Sequence, residues 1–439
     1  MNAPARRDAA GLGLALLSRF ASLRLVDQLH LRKPAERLLT RFTRAGFRTA
    51  AAASRSFKAV QTQLQPQRLR RAAGSDLFDL QPTEEQQMLR EAVQGFAQGE
   101  LRPAAAAANE AGAAPPELLQ AAAELGIGLM GIPEALGGAG QERSVLTHVL
   151  VTEALAHGDM GLAVACLAPS AVSNALVLWG DEVQQATYLS AFLTDNAPVA
   201  ALALNEPGLA FNPLQPQTLA RRSAGGYELS GTKCLVPRAA QAELLVVSAQ
   251  VEGEGPALFI VESASQGLDV EPEPAMGLRA AATARVRLNR VRVPAANRLG
   301  QGADTLAECL RLSRLGWCAL AVGTAQSVMD FVIPYVNERV AFGEPISHRQ
   351  SVAFAVANIG IELEGMRLAT WRAASLAEQD KPCAREVALA HRLCVDKGMQ
   401  IGSDGVQLLG GHGFTKEYPV ERWYRDLRAV GVMHGAVLM

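Results

Sequence analysis

The chain has 439 residues, 49% of them apolar and 5% aromatic, with a net charge of −1. That length holds two or three domains around a sizeable core, and the Ala- and Leu-rich balance fits a mainly helical protein. No run of about 18 uninterrupted apolar residues occurs, so no transmembrane helix is expected, and six scattered cysteines with no CxxC pair argue against a disulfide framework or a metal site.

Residues 1–75 hold 15 Lys/Arg against 3 Asp/Glu, so a basic arm precedes an acidic body. Leu14, Leu17, Val26 and Leu29 alternate with Arg19, Arg24, Arg32 and Lys33 at roughly helical spacing. Three readings of the arm stay open. It is a solvated or partner-docked helix pair, a segment in peripheral contact with an anionic membrane, or an organelle transit peptide, although Asp8, Asp27 and Glu36 weigh against the last. Nucleic acid is not an expected partner, because no aromatic platform accompanies the charge.

The body begins near Leu80. Thr83 reads as a helix N-cap, with Gln86 completing a capping box, and Leu89, Val93 and Phe96 follow at helical spacing. Helical patterns continue over 116–126, 143–157, 168–179 and 182–193. From about 199 the period shortens. Tyr227–Gly231, Leu244–Val247, Leu258–Val261 and Val286–Pro294 read as strands of an antiparallel, half-exposed sheet. Helical patterns return over 303–338, 348–378 and 384–409, with lengths and links suited to an antiparallel bundle. The expected division is a basic N-terminal arm (1–77), an N-terminal helical domain (78–198), a β domain (199–300) and a C-terminal helical bundle domain (301–439).

The most informative stretch runs from Gln407 through Gly410, Gly411, Glu417-Tyr418-Pro419-Val420-Glu421-Arg422 and Arg425-Asp426 to Met433-His434-Gly435-Ala436. With Arg339-Val340-Ala341-Phe342-Gly343 and the loop Gly131-Ile132-Pro133-Glu134, it resembles the acyl-CoA dehydrogenase family over roughly residues 78–436. The resemblance implies a mainly α fold with a central β domain: an N-terminal helical domain, an antiparallel β domain and a C-terminal four-helix bundle. It also implies FAD as cofactor, an acyl-CoA substrate, an electron-transfer flavoprotein as electron acceptor, and a homo-oligomer or a hetero-oligomer with a family paralogue.

By the same resemblance, Arg339, Phe342, Gln407, Gly410 and Gly411 reach the FAD of a neighbouring subunit. A guanidinium fork suits a pyrophosphate, and glycines allow close backbone approach. Leu204 and Asn205 take flavin-contacting positions in the chain's own sheet domain, while Arg314 and Gly435 take substrate positions. Several expected polar groups are replaced. Leu235 stands for the aromatic that covers the flavin, Pro237 for a flavin-binding Thr, and Ala210-Phe211-Asn212 for Gly-Ser-Asp.

In the family a carboxylate removes the α-proton while the β-hydride passes to the flavin, and the base residue's own backbone N–H helps hold the thioester oxygen. Here that position is His434, which keeps the N–H and offers an imidazole with an ordinary pKa near 6.5. The alternative base position, before Arg314, is Ser313. The family pattern continues with a short I-x-R helix that closes over the cofactor, and the resemblance leads to the expectation that this helix is lost here. Phe211 and Trp317 are candidates to narrow the acyl pocket.

The expected function is therefore α,β-dehydrogenation of an acyl-CoA thioester with hydride transfer to FAD. Two alternatives remain: a catalytically silent subunit completing the FAD site of an active paralogue, or a flavin-free acyl-CoA binding protein. The expected location is cytoplasmic, with membrane association through the arm, or the mitochondrial matrix in a eukaryote.

Overall fold

In the computed structural model, residues 82–439 are described apart from 139–141, 195–196, 209–210, 301 and 303. The basic arm lies outside the described residues.

Helix α1 (Glu84–Phe96) starts as its sequence dictates: Thr83 Oγ1 accepts from Gln86 N at 3.2 Å and Gln86 Oε1 accepts from Thr83 N at 3.0 Å. Helices α2 (Arg102–Ala111), α3 (Pro116–Glu124), α4 (Val145–Gly158) and α5 (Met160–Trp179) follow. Asp159 caps α5, its Oδ1 accepting from Leu162 N at 3.0 Å. This helix begins eight residues before the expected 168. Its first half, Met160–Leu167, is apolar on every side and so carries no amphipathic period to read. It is long and apolar enough to cross a membrane by length and composition, but most of it is buried in the protein core, as a core helix is.

Eight strands form one sheet: β1 (Ala200–Ala203), β2 (Leu219–Ser223), β3 (Gly226–Pro237), β4 (Leu244–Val251), β5 (Gly255–Glu262), β6 (Leu268–Pro272), β7 (Thr283–Pro294) and β8 (Arg298–Leu299). The order is β6-β7-β3-β2-β4-β5-β8, with β1 also on β4. The sheet is mixed rather than wholly antiparallel, because β1 and β2 both pair with β4 in parallel. The strand β4 is buried on both faces: Leu244 and Val246 pack with the helices, Leu245 and Val247 with the far side of the sheet. The same double burial hides β1, whose Ala-Ala-Leu-Ala shows no alternation.

Three long helices, α6 (Asp304–Glu338), α7 (Gln350–Glu378) and α8 (Ala384–Leu409), pack with the short α9 (Val420–Leu427) to form the C-terminal bundle, and α4 docks on α6 and α7. Gly323 permits that docking, since a Cβ there would lie 2.1 Å from Glu153 O. The elements that carry the candidate site thus converge where the C-terminal end of β1, the N-terminal third of α6 and the chain after α9 meet.

Candidate active site

The turn after α9 delivers His434 to the end of β1. Its backbone N donates to Asn205 Oδ1 at 2.9 Å, and Gly435 forms an antiparallel bridge with Ala203. Gly435 (φ +78°) and Ala436 (φ +69°) are both left-handed, which turns the chain inward. A Cβ at Gly435 would sit 2.9 Å from Leu204 Cγ, so glycine is required. Helix α6 fixes the turn: Gly435 N donates to Ser313 Oγ at 2.9 Å, and Gly435 O accepts from Ser313 Oγ at 3.0 Å and Trp317 Nε1 at 2.9 Å. The Ser313 hydroxyl is therefore spent on holding the turn.

The imidazole of His434 is half-buried, and its Nδ1 has no hydrogen-bond partner among the described residues. Burial, with Arg314 and then His391 nearby, pushes its pKa down to about 4, so the ring is neutral at pH 7. Phe211 approaches it at 6.3 Å between ring centroids. Arg314 is itself partly buried and its Nε is unpartnered among the described residues. The structure thus brings His434, Gly435, Asn205, Leu204 and Arg314 together.

Beyond Ala436 the chain enters the interior. Val437, Leu438 and Met439 are each 1–2% exposed. Leu438 O accepts from Asn174 Nδ2 at 3.1 Å on α5, and Met439 O accepts from Arg143 at 2.5 Å. Gly316 on α6 makes room for them, since a Cβ there would lie 2.8 Å from Val437 Cγ2 and from Met439 Cε.

The sheet-side positions are also internally bonded. Asn205 Nδ2 reaches Val432 O at 3.5 Å. Leu235 (φ +52°) donates its N–H to Glu273 Oε2 at 2.7 Å, and Glu273 pairs with Arg285. A cavity of about 100 Å³ remains between Leu235, Met276, Leu278, Thr283, Val432 and Met433.

A second group lies apart on the surface. Arg339 is exposed and Phe342 is 96% exposed, at the tip of a two-stranded hairpin pairing Val340–Ala341 with Glu344–Pro345. Gln407, Gly410 and Gly411 are exposed, and a Cβ on either glycine would meet nothing within 4 Å. Arg339, Tyr335, His412 and Tyr418 line one cleft of about 440 Å³, with Tyr335 Oη 2.8 Å from His412 Nδ1. That cleft sets the hairpin beside the Gly410-Gly411 turn.

Sequence reasoning missed the partners of several motif residues. Glu206 forms a fully buried pair with Lys233 at 2.7 Å, and Lys233 Nζ also donates to Ser248 Oγ at 2.9 Å. Arg422 pairs with Asp159 at 3.0 Å, and Asp426 Oδ1 accepts from Leu278 N at 2.6 Å. Their retention in the motifs was visible; their mutual contacts were not. The burial of 437–439 had one signal, the run Val-Leu-Met itself.

Three domain families match the chain: the acyl-CoA dehydrogenase N-terminal domain over residues 83–196, the middle domain over 201–291 and the C-terminal domain over 300–437. The mitochondrial short-chain specific acyl-CoA dehydrogenase of Rattus norvegicus is 32% identical over 365 residues, covering 80% of this chain and 87% of the relative. Butyryl-CoA dehydrogenase from Megasphaera elsdenii superimposes with a TM-score of 0.75 at 28% identity, over 81% of this chain and 95% of that one. A glutaryl-CoA dehydrogenase from Mycobacterium smegmatis in complex with FADH2 gives 0.73 at 25% identity, over 80% and 90%.

Proposed function

The chain belongs to the acyl-CoA dehydrogenase family, and from that premise we propose that it acts as an acyl-CoA dehydrogenase-like flavoprotein, an FAD-dependent oxidoreductase that desaturates the α,β carbon pair of an acyl-CoA thioester. The bare backbone at Gly410 and Gly411 fits close approach of a cofactor, and the exposed Arg339 offers a fork for its pyrophosphate. Phe342 and Gln407 complete this outer set, while Leu204 and Asn205 serve the sheet side. When bound, FAD supplies the two-electron acceptor for the β-hydride.

His434 is the proton acceptor in this reading. The observation that carries it is the unpartnered Nδ1 of a neutral imidazole at the family's base position. Protonation would place a cation beside Arg314, so the setting that keeps the ring neutral also makes His434 a weak base. The thioester oxygen can use the His434 N–H only by displacing Asn205 Oδ1. Turnover is accordingly slow. His434→Ala should abolish flavin reduction by acyl-CoA while leaving the bound-flavin spectrum unchanged; reduction that persists removes His434 from the role.

A second reading is favoured by the occupied N–H and the 100 Å³ cavity. In it the chain is a silent subunit that lends Arg339, Phe342, Gln407, Gly410 and Gly411 to the FAD site of an active paralogue. Co-purification with such a paralogue, followed by loss of its flavin on Arg339→Ala, would support this arrangement over a homo-oligomer. An electron-transfer flavoprotein is the proposed acceptor, and the basic arm the proposed membrane contact. The mitochondrial matrix is the proposed location in a eukaryote, and the name of the rat relative places that protein in the mitochondrion.

A further inference from the structure

We propose that residues 437–439 are a built-in occupant of the acyl-binding channel, and that an acyl thioester enters only by displacing them. The inference rests on the acyl-CoA reading above. Three observations carry it.

The first is direction. Gly435 and Ala436, both left-handed, aim the chain away from the base position and into the apolar interior between α5 and α6. A thioester whose α-carbon faces His434 and whose carbonyl takes the His434 N–H would send its alkyl chain the same way. The second is fit. Gly316 leaves room for Val437 Cγ2 and Met439 Cε, and Leu438 O and Met439 O each receive a hydrogen bond from Asn174 or Arg143. Buried main-chain carbonyls would be costly without those donors. The third lies at the other end of the same path, where Asn205 Oδ1 accepts from His434 N as a thioester oxygen would. The chain thus supplies an internal substitute for both the carbonyl and the alkyl tail.

The test uses S-octyl-CoA, a thioether, so that binding is read without turnover. Deleting residues 437–439 should tighten its binding about tenfold or more, because apparent affinity scales with the fraction of molecules whose channel is open. In case the deletion impairs folding, the full-length Met439→Cys chain gives a second readout. All six native cysteines are buried, so thiol labelling reports residue 439. Labelling should be slow alone and accelerate on addition of S-octyl-CoA. Equal affinity with and without the deletion, and labelling unmoved by bound S-octyl-CoA, overturn this inference alone. Failure of both forms to bind S-octyl-CoA overturns it together with the acyl-CoA reading, whereas binding by the deleted form alone supports it.

Discussion

Glu206 and Lys233 show how motif residues can be structural at the scale of single side chains. Both are buried, and Glu206 also accepts from Gln217 N at 2.6 Å and Thr218 N at 3.0 Å, so it ties the end of β1 to β2, β3 and β4. Burial pushes the Lys233 ammonium down to about 8 although Glu206 pulls it upward. Glu206→Gln should leave an uncompensated buried ammonium and cost about 3–5 kcal/mol, read as a lower urea midpoint. His148 supplies a pH-dependent case. It is fully buried, and burial followed by the Arg143 charge lowers its pKa to about 4. Between pH 6.5 and 4 the unfolded chain therefore binds a proton that the native chain refuses, and stability falls as pH falls. The wild type should lose about 2 kcal/mol more than His148→Gln between pH 6.5 and 4.5, measured by urea unfolding at each pH.

At the scale of elements, α9 joins three parts of the fold. Arg422 reaches the N-cap of α5, Asp426 holds the turn at Leu278, and Arg425 Nη1 donates to Met276 O at 2.7 Å. Gly277 lies against α9 so closely that a Cβ would be 2.4 Å from Arg425 O. Gly277→Ala should thus cost about 1–3 kcal/mol, seen as a lower thermal midpoint. Glu417 through Asp426 could be read in the sequence as a family signature, but not as the joint between helix and sheet, because the joining groups lie more than a hundred positions apart. Helices with a polar face, such as α1 and α8, were legible almost to the residue. The first half of α5 and all of β1 were not, since double burial erases the alternation on which such reading depends. Likewise the motifs name His434, Gly435, Asn205, Leu204 and Arg314, which the fold brings together, whereas the Asn205 bond to His434 N and the inward turn at Gly435-Ala436 arise from backbone geometry that one sequence does not display.

The whole molecule divides the residues proposed to serve the cofactor and substrate between an exposed group and an enclosed one. Arg339, Phe342, Gln407, Gly410 and Gly411 face solvent, while His434 is bonded to Asn205 and residues 436–439 are buried in the core. In the proposed reading, a family fold is preserved around a base with little proton affinity and a channel filled by its own chain. This arrangement accounts for the proposed slow dehydrogenation without any change of architecture. The most direct test is the visible spectrum of the purified full-length chain, recorded without oxygen before and after a panel of acyl-CoA thioesters. The account predicts a flavin band that bleaches slowly with at least one thioester. A protein with no flavin, or a flavin band that every thioester leaves intact, would contradict it.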